Sequence, residues 1–159
     1  MKIRLANPDD TSLILEFITK KSEFDRDIGA YSGVLQVSKA KILQTMFHEI
    51  PFAYVLFAER GEQTLGFALY GFRYSSFRGQ PSIWLDDLYV DEDVRSQGIG
   101  LALMNHLRQI SKQNNCSHLA WTADARNIRG INFYHRLGAK IVEQRENRCF
   151  FQWFPYPKL

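Results

Sequence analysis

Residues 83–90, Ile83-Trp84-Leu85-Asp86-Asp87-Leu88-Tyr89-Val90, are apolar at all but two positions and lead through an acidic loop into the turn Arg95-Ser96-Gln97-Gly98-Ile99-Gly100. A strand that is apolar on both faces has to be covered on both, as a central strand is. Beyond the turn, Ile99, Leu103, Leu107 and Ile110 recur at helical spacing, and Asn114-Asn115 closes that helix. A buried strand, a glycine turn and an amphipathic helix in succession make the nucleus of an α/β sheet.

The remaining segments build outward from this unit. Ile3 and Leu5 alternate with Lys2 and Arg4 as in a short strand, and Asn7-Pro8-Asp9-Asp10 reads as the cap, proline and first-turn acids of a helix over residues 8–21. Residues 22–37, with Gly29, Ser32 and Gly33, read as an irregular loop before a helix over 38–48. Three β-rich runs, 52–59, 64–74 and 82–90, read as an antiparallel meander. After the glycine-turn helix come a strand over 118–122 and a short helix over 128–137, opened by Asn127 and ended by Gly138. Strands over 140–144 and 148–153 complete the pattern. Strands meet helices both early and late, so the expected architecture is one mixed α/β sheet in a single domain over 1–159.

The 159 residues, 45% of them hydrophobic, suffice for a buried core. A net charge of +3 lacks the dense basic stripe that duplex nucleic acid requires. Cys116 and Cys149 stand far apart in the sequence, which suggests neither a disulfide framework nor a zinc site and fits a reducing cytoplasm. The longest apolar run, residues 52–58, is far below the roughly 20 residues of a membrane span, so a soluble protein is expected, with no membrane partner. His48, His106, His118 and His135 show no metal spacing, are read as surface or capping residues, and no metal is expected.

Backbone amides at a helix start are unpaired and carry positive partial charge, and glycines let a pyrophosphate approach them. The turn at Gly98 and Gly100 therefore has an anion-binding layout. It lacks the third glycine of a dinucleotide fingerprint, and no Gly-Lys-Ser/Thr of a P-loop occurs in the chain. On the residues alone, a plain strand-to-helix turn remains the alternative.

Arg95-x-x-Gly98-x-Gly100 after a strand, followed by Asn127-x-x-Gly130-Ile131-Asn132-Phe133-Tyr134-x-Arg136-Leu137-Gly138-Ala139, resembles the GNAT acetyltransferase superfamily. Residues 67–72 and 84–90 are most similar to its diamine (spermidine/spermine) and thialysine acetyltransferases. The resemblance implies an α/β (α+β) fold with a mixed, mainly antiparallel central sheet of about seven strands and flanking helices. It also implies acetyl-CoA as co-substrate, transfer to a primary amine of a small molecule, and a homodimer. The pantetheine arm would lie along Leu88, Tyr89 and Val90, and the pyrophosphate on Arg95, Ser96, Gln97, Gly98, Ile99, Gly100 and Leu101. Asn127, Asn132 and Tyr134 match later cofactor contacts. Asp86 matches a glutamate general base one methylene longer, and Tyr134 matches a general acid for the departing thiolate. A backbone amide at a strand bulge around residues 88–90 matches the oxyanion donor. Phe24 and Asp25, with Asp86 and Asp87, fall where the subfamily holds its amine.

A primary amine is mostly ammonium at neutral pH, so some group must take its proton. Alternation places Asp86 and Asp87 on opposite faces of the strand, and buried carboxylates need partners. Structural acids at a strand bend, and a core tyrosine at 134 beside Ile131 and Leu137, are the competing readings. Cys116 and Cys149, beside predicted strands, are read as small core residues. Two other functions stay open: a peptide N-acetyltransferase of the same fold, and a non-catalytic acyl-CoA-binding module that docks through the aromatic segment Phe150-Phe151-Gln152-Trp153-Phe154.

Overall fold

A computed structural model describes residues 1–156. In chain order it contains β1 (Lys2–Leu5), a 3-10 turn (Pro8–Asp10), α1 (Thr11–Asp27), α2 (Lys39–Met46), β2 (Tyr54–Arg60), β3 (Gln63–Ser75) and β4 (Gln80–Val90). A second 3-10 turn (Glu92–Val94), α3 (Ile99–Gln113), β5 (Leu119–Asp124), α4 (Ile128–Arg136), β6 (Lys140–Arg145) and β7 (Arg148–Trp153) follow. The seven strands form one sheet in the order β1-β2-β3-β4-β5-β7-β6. Every neighbouring pair is antiparallel except β4 and β5, which run parallel. The expected mixed, mainly antiparallel sheet with flanking helices is the observed one.

Strand alternation sorts side chains into two cores. Val55, Phe57, Phe67 and Leu69 pack with Ile14 and Phe17 of α1 and Ile42 of α2. Leu56, Ala58, Ala68 and Tyr70 pack with Ile99, Leu103 and Leu107 of α3 and with Trp121 and Phe151. Each large apolar side chain so buried stabilises the fold by about 1.5–3 kcal/mol. Gly66 permits the closest approach in the sheet: a Cβ there would lie 2.7 Å from the Tyr89 carbonyl oxygen.

Several elements differ from expectation. Residues 8–10 form a separate 3-10 turn in which Asn7 Oδ1 accepts from the Asp9 amide while the Asn7 amide donates to Asp10 Oδ2, a capping box. Helix α1 then runs to Asp27 instead of stopping at 21. Its extra turns are held by a Lys21–Asp25 pair at i,i+4 and by Phe24 under the Arg95 guanidinium, and periodicity of apolar residues alone misses both. The helix ends where Gly29 takes φ 78° and the Ala30 amide donates to the Asp25 carbonyl, a Schellman closure. Phe24 and Asp25 therefore sit on a helix and not in a loop.

The bulge lies at Asp86, not at residues 88–90. Leu69 opposes Asp87 and Tyr70 opposes Leu85, so Asp86 is the extra residue, while Leu88, Tyr89 and Val90 pair regularly with β3. An extra residue resets the alternation. Ile83 and Leu85 before it and Leu88 and Val90 after it join the same core, whereas Tyr89 packs on the α1 side. Asp86 and Asp87 consequently share the α1 face, which overturns the opposite-face expectation. His118 is also buried, against the surface reading, with its ring stacked on Phe154. Phe151 and Trp153 are buried as well, so the aromatic C-terminal segment is core more than docking surface. Cys116 and Cys149 are buried free thiols.

Candidate active site

The sheet opens in its middle. Strands β4 and β5 pair only at Ile83–Leu119 and Trp84–Ala120, while β5 pairs along its whole length with β7. Past Trp84 the β4 edge that faces β5 has no strand partner among the described residues, and a cleft of about 800 Å³ fills the gap. That size suits a small molecule rather than a macromolecule.

At one end of the cleft the chain turns into α3 with Ser96 at φ 63° and Gly98 at φ 81°, left-handed values that suit glycine and bring first-turn amides to the surface. Arg129 of α4 reaches across to this turn, its Nη2 donating to Ser96 Oγ at 2.9 Å. Arg60 Nη1 donates to Gln97 Oε1 at 3.1 Å. Arg95, expected on a phosphate, lines the same cleft, and its Nε donates to the Val90 carbonyl at 2.9 Å. Its guanidinium also lies over the rings of Phe24 and Tyr89, 5.1 and 5.4 Å from their centroids. Arg129 stands two residues past the Asn127 cap, and that place in the motif is the signal the sequence carries for it.

Leu88, Tyr89, Val90, Arg95, Ser96, Gly98, Ile99, Gly100, Leu101, Asn127, Asn132 and Tyr134 all line the cleft, and Gln97 does not. Asn127 also caps α4, its Oδ1 accepting from the Gly130 amide at 2.9 Å. Gly100 packs against the Phe133 ring, where a Cβ would stand 3.3 Å away, so the two motifs are in contact. Trp121, another lining residue, is buried with no hydrogen-bond partner for its Nε1–H among the described residues. A buried donor left unpaired costs about 1–3 kcal/mol, which an acceptor on a ligand would offset.

Phe24, Asp25, Asp86 and Asp87 also line this cleft, together with Lys21. Lys21 Nζ is bonded to Asp25 Oδ2 and stands 3.8 Å from Asp87 Oδ1. Asp86 is exposed, but the Asp87 side chain keeps only 22% of its surface open. Burial pushes the Asp87 carboxyl up to about 6; Lys21 opposes the shift, while Asp86 and Asp25 add to it. Tyr134 is buried against Trp121 and Phe151, with ring centroids 4.9 and 5.2 Å apart. Burial, then the charges of Asp87 and Asp25, raise its hydroxyl well above the ordinary tyrosine value. The arrangement thus pairs a proton acceptor tuned near neutrality with a hydroxyl kept protonated, across a cleft that ends in an anion cradle.

The sequence model of the acetyltransferase (GNAT) family matches residues 24–139. The chain is 30% identical over 157 residues to a bovine (Bos taurus) protein named thialysine N-epsilon-acetyltransferase, covering 93% of this chain and 89% of that protein. It is 28% identical over 159 residues to human (Homo sapiens) spermidine/spermine N(1)-acetyltransferase-like protein 1, covering 96% of this chain and 22% of that longer protein. Among solved structures, an integron cassette protein from the mobile metagenome of V. cholerae superposes with a TM-score of 0.70 at 27% identity, over 91% of this chain and 88% of its own.

Proposed function

The chain belongs to the acetyltransferase (GNAT) family and is an acyltransferase, and from that premise we propose that it moves an acetyl group from acetyl-CoA to a primary amine of a small molecule. The observation that carries this reading is the opening between β4 and β5, which sets Asp87 and Tyr134 in the same cleft as the α3 turn. The donor fits the residues present. Its pyrophosphate suits the amides of the α3 turn beside Arg129. Its amide-bearing arm suits the β4 edge at Leu88, Tyr89 and Val90, from which β5 has diverged, and the Trp121 N–H, unpaired among the described residues, adds a donor on the opposite wall. When bound, acetyl-CoA supplies an acetyl group activated as a thioester.

The chain's own residues then hold and move protons. Asp87 takes over the proton-accepting role that sequence placed on Asp86. It is the more buried of the pair and is half-ionised near pH 6, so at neutral pH it is a carboxylate with enough basicity to accept a proton. Asp86, exposed at the bulge, attracts the incoming ammonium. Tyr134 keeps its proton at all physiological pH values and supplies it on the leaving-group side. Trp121 and Phe133 give the cleft apolar wall beside the site of transfer.

The relatives named for thialysine and for spermidine and spermine direct the choice of acceptors to short aliphatic amines. A panel of such amines, assayed by thiol release from acetyl-CoA, tests the reading; release that no amine increases would sink it. The reading treats the chain as one catalytic domain, and the family resemblance extends it to a homodimer in the cytoplasm, which light scattering and localisation of a tagged protein would check.

A further inference from the structure

The acceptor half of the cleft already contains a cation. Lys21 lies on the cleft-facing side of α1, and its side chain keeps only 19% of its surface exposed. Its ammonium is bonded to Asp25 and faces Asp87, 3.8 Å away. Three carboxylates, Asp25, Asp86 and Asp87, line this half, and they are the groups that a cationic acceptor would use. Asp25 is committed to Lys21, and Asp87 is reserved for the proton of the reacting amine. That leaves Asp86, exposed at the bulge, as the one acid without a described cation beside it.

On the reading of the cleft as an amine acetyltransferase site, we propose that Lys21 is its specificity-determining residue: held by Asp25 and turned toward Asp87, the lysine ammonium occupies the place of a second substrate ammonium. The preferred acceptor is therefore an amine whose far end is neutral or anionic, as in an ω-amino acid or a simple alkylamine, and not a diamine or polyamine. A second ammonium brought beside Lys21 meets a like charge in a partly desolvated wall, where the screening of bulk water is lost. A far-end carboxylate meets an opposite charge instead.

The test uses three acceptors matched in length, pentylamine, 5-aminopentanoate and cadaverine, with the wild-type chain and the variants Lys21→Met, Lys21→Gln and Lys21→Arg. Acetyl-CoA affinity by calorimetry reports whether each variant keeps its fold. The wild type should favour pentylamine and 5-aminopentanoate over cadaverine in kcat/KM. Both neutral variants should raise the cadaverine-to-pentylamine ratio by about tenfold, the ratio set by one like charge at a partly solvated site. Lys21→Arg should keep the wild-type ratio, because it restores the charge. A merely structural lysine would lower all three acceptors together and leave the ratios unchanged. Ratios that stay within about twofold in both neutral variants, or a wild type that prefers cadaverine, overturn the role of Lys21 while leaving the acetyltransferase intact. Absence of transfer to every amine by the wild type overturns the underlying reading instead.

Discussion

Replacing Asp87 by asparagine should make the protein more stable at neutral pH and nearly inactive. Desolvation raises the carboxyl from its ordinary 3.8 to about 6, against the opposing pull of Lys21. The folded state therefore binds this proton more tightly than the unfolded chain does. The associated stability is fully present below pH 3.8 and is lost as pH rises through about 6. Above that point the ionised carboxylate destabilises the fold by about 3 kcal/mol at 1.36 kcal/mol per pH unit, and partial solvation of the side chain trims this to about 1–3 kcal/mol. Asparagine has nearly the same shape and no charge to desolvate, so Asp87→Asn should recover most of that amount at pH 7.5 and almost none of it near pH 4. Urea unfolding at both pH values measures the difference. Turnover should fall by about 10²-fold or more, the usual contribution of a positioned proton acceptor. The wild-type kcat/KM should decline below about pH 6 as Asp87 protonates. A variant that is less stable than wild type at pH 7.5, or one with unchanged turnover, would refute this assignment of burial and base to the same carboxylate.

Tyr134→Phe removes one buried hydroxyl and no ring contact, so turnover should drop by about 10²-fold while acetyl-CoA binds with near-wild-type affinity; a calorimetric titration beside a rate assay separates the two. Arg129→Ala should weaken acetyl-CoA binding by about 3- to 10-fold with no loss of thermal stability, whereas Arg95→Ala should lower the melting temperature, because Arg95 ties Val90, Phe24 and Tyr89 together. Gly66→Ala places a methyl 2.7 Å from the Tyr89 carbonyl and 3.2 Å from Val90 Cγ2, so β4 must shift along the cleft wall. A stability loss of about 1–3 kcal/mol by urea unfolding should accompany weaker donor binding.

The sheet and the turn into α3 were legible in the sequence because both rest on local rules. A doubly apolar strand has to be central, and helical spacing after a glycine turn fixes α3 and its polarity. Asn127 and Gly138 bracket α4 as a cap and a left-handed stop should. The acceptor end was not legible in the same way. Its decisive facts are a pairing register and a side-chain contact between distant segments. Nothing in residues 85–87 distinguishes a bulge from regular alternation, since the extra residue is defined only by what β3 places opposite. Nor does the span 21–25 announce that Lys21 and Asp87 will meet. The surroundings of Arg95 were hidden for a related reason: the motif names a position, but the ring beneath the guanidinium belongs to Phe24, seventy-one residues earlier.

The bulge and the opening of the sheet follow from one another. An extra residue strengthens the local right-handed twist of its strand. The last β4–β5 pair is Trp84–Ala120, two residues ahead of Asp86, so the parallel ladder stops where the added twist begins. Strand β5 does not follow, because it is held in register with β7 from Leu119 to Asp124. On the other side, β4 stays bonded to β3 through Val90, with Gly66 allowing the close approach at that end. The two strands are thus pulled apart by partners that each keep them, and the space between becomes the cleft. The same extra residue brings Asp86 and Asp87 onto one face and leaves Asp87 under α1 beside Lys21. A cavity, an unpaired backbone edge and a carboxylate of raised basicity are therefore consequences of a single change of register, which is why the acceptor chemistry sits where the sheet opens and not at its rim.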